Sequence, residues 1–97
     1  MNLRQIENIL TIAEEKNITK AAEKLYISQP ALNQQLLNLE KELGTPLFQR
    51  KRREWEVTEA GEIYLEAGRR ILNIKKDAYA RIADAANTKR EELNIGV

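Results

Sequence analysis

NITKAAEKLYISQPALNQQLLNLEKELG, residues 17–44, holds two helical patterns separated by a break short enough to be a tight turn. In the first, spanning about 18–25, Ala21, Ala22 and Leu25 share one face, and their small side chains let another helix approach closely. Asn17 and Thr19 are both residues able to cap it. Tyr26-Ile27 makes the turn, Ser28 is a good N-cap, and Pro30 is tolerated in the first helical turn that follows. In the second pattern, from about Gln29 to Leu43, Leu32, Leu36, Leu39 and Leu43 recur at helical spacing, and Gly44 followed by Pro46 marks the stop. Short helix, tight turn and longer helix is the helix-turn-helix layout.

Upstream, Leu3, Ile6, Ile9, Leu10 and Ala13 form one apolar stripe and predict a first helix over Leu3–Glu15. Downstream, Leu47-Phe48-Gln49-Arg50 and Trp55-Glu56-Val57 flank a polar tip and predict a hairpin. Thr58 can cap the next helix, whose positive end suits Glu59 and Glu62. That helix should run to about Thr88, roughly 45 Å at 1.5 Å per residue, which is more than a small head needs. Leu65, Leu72, Tyr79 and Ala86 recur every seven residues, Ile71, Ala78 and Ala85 sit beside them, and Ile82 lies one turn on. A seven-residue repeat keeps a seam facing a partner helix, so these eight residues are the expected dimerisation set. The competing reading is an amphipathic helix folded back on its own head.

The chain has 97 residues, 42% hydrophobic and 32% charged, enough for a core in one soluble domain with an extension. It has no Cys and no His, which removes disulfides, thiolate metal sites, the commonest general base and the commonest metal ligand. The apolar runs are too short to span a membrane, and Met1-Asn2-Leu3-Arg4-Gln5 lacks the apolar stretch of a secretory signal, so a cytoplasmic location is expected. No Gly-rich phosphate loop or acid pair suggests an enzyme, and no metal or cofactor is expected within these residues. The net charge is only +1, yet Arg50-Lys51-Arg52-Arg53 gathers four of the nine cations of residues 1–58. A local basic patch on a near-neutral protein is a footprint that nucleic-acid binders use, and also the composition of a solvated loop.

Projected at about 100° per residue, the leucines of the third helix occupy one side, and Pro30, Asn33, Gln34 and Leu37 the other, with Gln29 at its edge. The first residues of a recognition helix point at base edges in the major groove, where Asn and Gln can grip adenine with a donor and an acceptor. No residue from Gln29 to Asn38 is charged, so phosphate attraction must come from helix N-termini and the basic hairpin.

Asn17-Ile18-Thr19-Lys20-Ala21-Ala22-Glu23-Lys24-Leu25, Ser28-Gln29-Pro30-Ala31-Leu32, Leu39-Glu40, Leu43-Gly44, Pro46-Leu47-Phe48 with Arg50, and Thr58-Glu59-Ala60-Gly61 follow in order without a gap. Taken together, they resemble the amino-terminal part of LysR-type transcriptional regulators, closely over residues 1–58 and more loosely to about 88. The resemblance implies a mainly α fold: a winged helix-turn-helix of three helices and a two-stranded wing, then a long dimerisation helix. Its parts would be a DNA-binding domain at 1–58 (helix-turn-helix about 18–37, wing about 47–57), a linker helix at 59–88, and a hinge with the first strand of an effector-binding domain at 89–97.

The resemblance also implies that Gln29, Pro30, Asn33 and Gln34 face the major groove and that Thr19 and Ser28 lie near phosphates. Arg53 would enter or flank the minor groove, where narrow A·T tracts attract cations. Arg50, Lys51 and Arg52 would add phosphate contacts. The implied partners are operator DNA, a second copy of the chain (a tetramer at full length) and RNA polymerase, with a small-molecule effector bound by a further domain. The sequence departs from the family's usual residues at Asn33, Gln34, Leu37 and Trp55, so no operator preference is borrowed from a relative. The reading from another class is a helical protein-interaction module that never touches DNA.

Overall fold

Asn2 opens the first helix, α1 (Leu3–Glu15), its side chain accepting a hydrogen bond from the Gln5 amide at 2.7 Å. Lys16 closes it in the left-handed conformation (φ 54°), and Asn17 at once caps α2 (Ile18–Leu25), accepting from the Lys20 amide at 2.9 Å. Of the two residues able to cap α2, Asn17 does so, which leaves Thr19 free for another partner. Tyr26, also left-handed (φ 58°) and 95% exposed, ends α2. Ser28 then caps α3 (Gln29–Leu43), with Pro30 in its first turn and Gly44 (φ 78°) at its end. The architecture of this computed structural model is completed by β1 (Phe48–Gln49), β2 (Glu56–Val57) and α4 (Glu59–Ile95). The structure describes residues 1–95, with side chains to Lys89.

The three head helices meet around Ile6, Ile9 and Ile12 of α1, Ile18, Ala21 and Ala22 of α2, and Leu32, Leu36 and Leu39 of α3. Leu47, Phe48, Tyr64 and Leu65 close the core from the wing and α4. Truncating any fully buried Leu or Ile here to Ala would cost about 2–5 kcal/mol. Leu43 departs from the leucine stripe. It sits in the last turn of α3, is nearly half exposed, and lines a shallow hollow with Met1, Ile63 and Ala67.

The hairpin is real but short. It pairs Phe48 with Val57 and Gln49 with Glu56 in antiparallel register, and the basic run forms the connection. Two hydrogen bonds set its base: Thr58 N–H to the Leu47 carbonyl at 3.0 Å, and Leu47 N–H to Glu40 Oε2 at 2.6 Å. Thr58 also caps α4, its hydroxyl oxygen accepting from the Gly61 amide at 3.0 Å.

Two expectations about the long helix need correction. It continues to Ile95, so residues 89–95 are helical where a hinge and a strand were expected; Gly96 and Val97 lie outside the described residues. Lys89, Arg90, Glu91, Glu92 and Leu93 are good helix formers with no Gly or Pro among them, whereas a strand would need a sheet to join. The heptad seam is also divided. Leu65, 1% exposed, belongs to the head's own core, and Ile71 and Leu72 are half-buried against it, while Ala78, Tyr79, Ile82, Ala85 and Ala86 are exposed. The first turns of α4 must wall the core that α1 and α3 leave open, which removes Leu65 from any partner's reach.

Candidate nucleic-acid interface

Capping at Ser28 fixes the direction in which α3 leaves the turn, and the buried row Leu32, Leu36 and Leu39 fixes its rotation. The opposite face therefore presents Gln29, Pro30, Gln34 and Leu37 to solvent. Gln29 is pinned by Thr19, whose hydroxyl donates to Oε1 at 2.9 Å and leaves Nε2 as the free donor end. Gln34 donates from Nε2 to Asn38 Oδ1 at 2.8 Å, so its own Oε1 is the free end. Asn33 is half-buried, and its Oδ1 is enclosed without a hydrogen-bond partner among the described residues. Ser28 is exposed and uses its oxygen on the Ala31 amide at 3.2 Å, keeping its O–H as a donor.

The wing brings the cations alongside. Arg50, Lys51, Arg52 and Arg53 are all exposed. Lys51 pairs with Glu56 at 3.1 Å, and Glu54 pairs with Lys16 at 3.8 Å. Among the described residues, Arg50, Arg52 and Arg53 have no acidic group within 4.0 Å, so three of the four charges are uncompensated. The Trp55 N–H donates to the Lys16 carbonyl at 3.0 Å, tying the wing to the α1–α2 turn. Trp55 also packs against Phe48 (centroids 6.0 Å apart) and carries the Arg50 guanidinium 4.6 Å from its ring centre.

Thr19, Gln29, Pro30, Asn33 and Arg50 thus come together on the side of the head that α3 shares with the wing, while Arg52 and Arg53 occupy the wing tip. Two polar links escaped the sequence reading. Asn8, nearly buried in α1, donates to Gln35 Oε1 at 2.7 Å and locks α1 to α3. Glu40 holds the start of the wing. A polar residue set into the Ile6–Ile9–Ile12 face was the available signal for the first; nothing in the sequence marked the second.

On α4 the exposed apolar residues include two that the heptad reading left out, Ile63 (65% exposed) and Ile74 (70%). At about 100° per residue, Ile63, Ala67, Ile74, Ala78 and Ala85 fall on one face, more than a quarter-turn from Leu65 and Leu72. Among the described residues no helix is long and apolar enough to cross a membrane.

Comparison with known proteins places this geometry. The family model described as bacterial regulatory helix-turn-helix protein, lysR family, matches residues 3–62. The HTH-type transcriptional regulator BudR of Klebsiella aerogenes is 41% identical over 97 residues, covering 100% of this chain and 68% of that protein. Other curated relatives are longer, and the chain spans between 27% and 33% of the length of several of them. Among solved structures, the CbnR DBD–DNA complex matches with a TM-score of 0.78 at 38% identity, over 89% of this chain and 99% of that one. The BenM DBD in complex with catB site 1 DNA matches with a TM-score of 0.81 at 34% identity, over 89% and 96%. The chain has the four helices and two-stranded wing of these domains, and it belongs to the lysR family of bacterial regulatory helix-turn-helix proteins.

Proposed function

We propose that this chain reads an interrupted palindromic operator in double-stranded DNA as a homodimer, and so acts as the DNA-binding and dimerisation part of a transcription regulator. The observation that carries this reading is the single face on which an uncharged amide-rich helix lies beside a wing with three uncompensated arginines. The amides of Gln29, Asn33 and Gln34 discriminate bases, and Arg50, Arg52 and Arg53 supply backbone attraction. Arg53 works in or beside the minor groove. Dimerisation uses the apolar face of α4 left uncovered by the head, centred on Ile74, Ala78, Ile82 and Ala85. In an antiparallel pair centred near Ile74, the distal end of one α4 reaches the hollow of Met1, Leu43, Ile63 and Ala67 on the other copy. Effector binding, contacts with RNA polymerase and assembly into tetramers are assigned, within the same proposal, to a larger protein in the cytoplasm.

The experiment is selection from random duplexes by the purified chain at moderate salt, followed by sequencing. An enriched inverted repeat with a fixed gap is the expected result and reports base reading and dimer geometry together. Self-association without any enrichment would move the chain to the class of helical protein-interaction modules.

A further inference from the structure

The wing and α3 enclose a cleft of about 600 Å³ lined by Ile18, Gln29, Pro30, Asn33, Arg50 and Trp55. Arg50 is the only one of the six that carries a charge, and its guanidinium lies over the Trp55 ring. The acids nearest in sequence are engaged elsewhere, Glu54 by Lys16 and Glu56 by Lys51. A guanidinium held by an aromatic face gives up only its flat side, because its five N–H donors lie in its own plane. The Trp55 backbone is fixed by its main-chain bond to Lys16, and the ring packs against the buried, strand-paired Phe48.

We propose that Trp55 is a positioning residue for DNA binding: its ring holds Arg50 at the mouth of this cleft, so that the free edge of the guanidinium takes a backbone phosphate beside the recognition helix. This rests on the DNA-binding reading above and adds to it the residue that prepares one of the cations. An unstacked arginine would search many rotamers before reaching a phosphate. A stacked one has already lost that freedom, and the restriction no longer weighs against the complex. The contact reads no base, so Trp55 governs how tightly DNA is held and leaves the choice of sequence to α3.

The test measures affinity for the selected operator and for a random duplex across a salt series, using the whole chain and the variants Trp55→Leu, Trp55→Phe, Arg50→Ala and Trp55→Leu/Arg50→Ala. Trp55→Leu should weaken both duplexes equally, by about three- to tenfold, and Trp55→Phe by less. Arg50→Ala should reduce the log–log salt slope by about one per protomer, and Trp55→Leu, which leaves the phosphate contact only partly occupied, by a smaller amount. The double variant should bind no more weakly than Arg50→Ala alone. Losses that multiply in the double variant, or an unchanged salt slope in Trp55→Leu, would overturn the role of Trp55. Should Trp55→Leu not fold, the contact is read without it, because Trp55 is the chain's single tryptophan. Its emission should shift on DNA binding in the parent chain and not in Arg50→Ala; equal shifts in both overturn the proposal. A parent chain that binds neither duplex overturns the DNA reading itself, an outcome distinct from the others.

Discussion

Gln29 meets any partner with one end already engaged, since Thr19 holds its amide oxygen and leaves the nitrogen free. Replacing Gln29 with Ala should weaken operator binding relative to random DNA by about 1–3 kcal/mol, measured by competition at fixed salt. An equal loss on every sequence would show that the side chain meets only the backbone. Gly61 is constrained from inside the head. A Cβ there would collide with the Leu47 carbonyl oxygen and come within 2.7 Å of Val57 Cγ1. That carbonyl cannot retreat freely, because it accepts the Thr58 amide that closes the wing. Gly61→Ala should therefore cost about 1–3 kcal/mol in a denaturant titration, and DNA affinity should fall with the displaced wing. Gly68 is constrained from inside the core as well: a Cβ there would lie 2.8 Å from Ile6 Cγ2, a methyl on the branched Cβ of a buried side chain that has little freedom to turn away. The outward residues of α3 were legible because helical periodicity sorts a sequence into faces. The Asn8–Gln35 and Glu40–Leu47 links were not, because polar pairs that meet only after folding leave no periodic trace.

At the scale of the element, α4 shows where periodicity stops being sufficient. The heptad count through Leu65, Leu72, Tyr79 and Ala86 is correct arithmetic, but one sequence carried two apolar faces with overlapping spacing. Only the packed head decides which of them is already covered, and it claims Leu65 and partly covers Ile71 and Leu72. A straight helix also drifts about 20° per heptad, which moves the uncovered stripe round toward Ile74 and Ala85. Tyr64 marks the covered side. Its hydroxyl is buried without a partner among the described residues, and burial, reinforced by the charge of Glu42, pushes its pKa up to about 12. Below the unfolded value near 10 both states keep the proton and the tyrosine is neutral to stability. As pH climbs from about 10 towards about 12, only the unfolded chain releases it, and the fold loses stability. Tyr64→Phe should flatten that alkaline decline and be neutral or slightly stabilising at pH 7, as read by thermal melts at each pH. A parent-like decline in the variant would assign the effect to other groups.

The whole molecule measures 65 × 25 × 21 Å, with a radius of gyration of 18.5 Å, against about 13 Å for a compact domain of this length. Its long dimension is α4, whose outer surface carries the ion pairs Glu66–Arg70 and Asp77–Arg81 beside exposed Ile74 and Ile82. Substituting both isoleucines with Glu should leave the head folded and yield a monomer by sedimentation. If three to five phosphates are neutralised per head, the salt slope should fall from about −5 to −9 in the dimer to roughly half that. A double variant that remains dimeric would place the interface elsewhere. The wing and the α2–α3 unit were legible as an ordered string of turns and caps; the true end of α4 was not, because continuation of a helix needs only the absence of a breaker. That same continuity has a mechanical consequence. From Arg69 to Ile95 no Gly or Pro interrupts the rod, and its first turns are embedded in the head's core. Head and rod therefore share one unbroken helix. The head's contacts with that helix run chiefly through α1 and β2, so whatever grips its far end acts through those two elements on the angle at which the head is offered to its target.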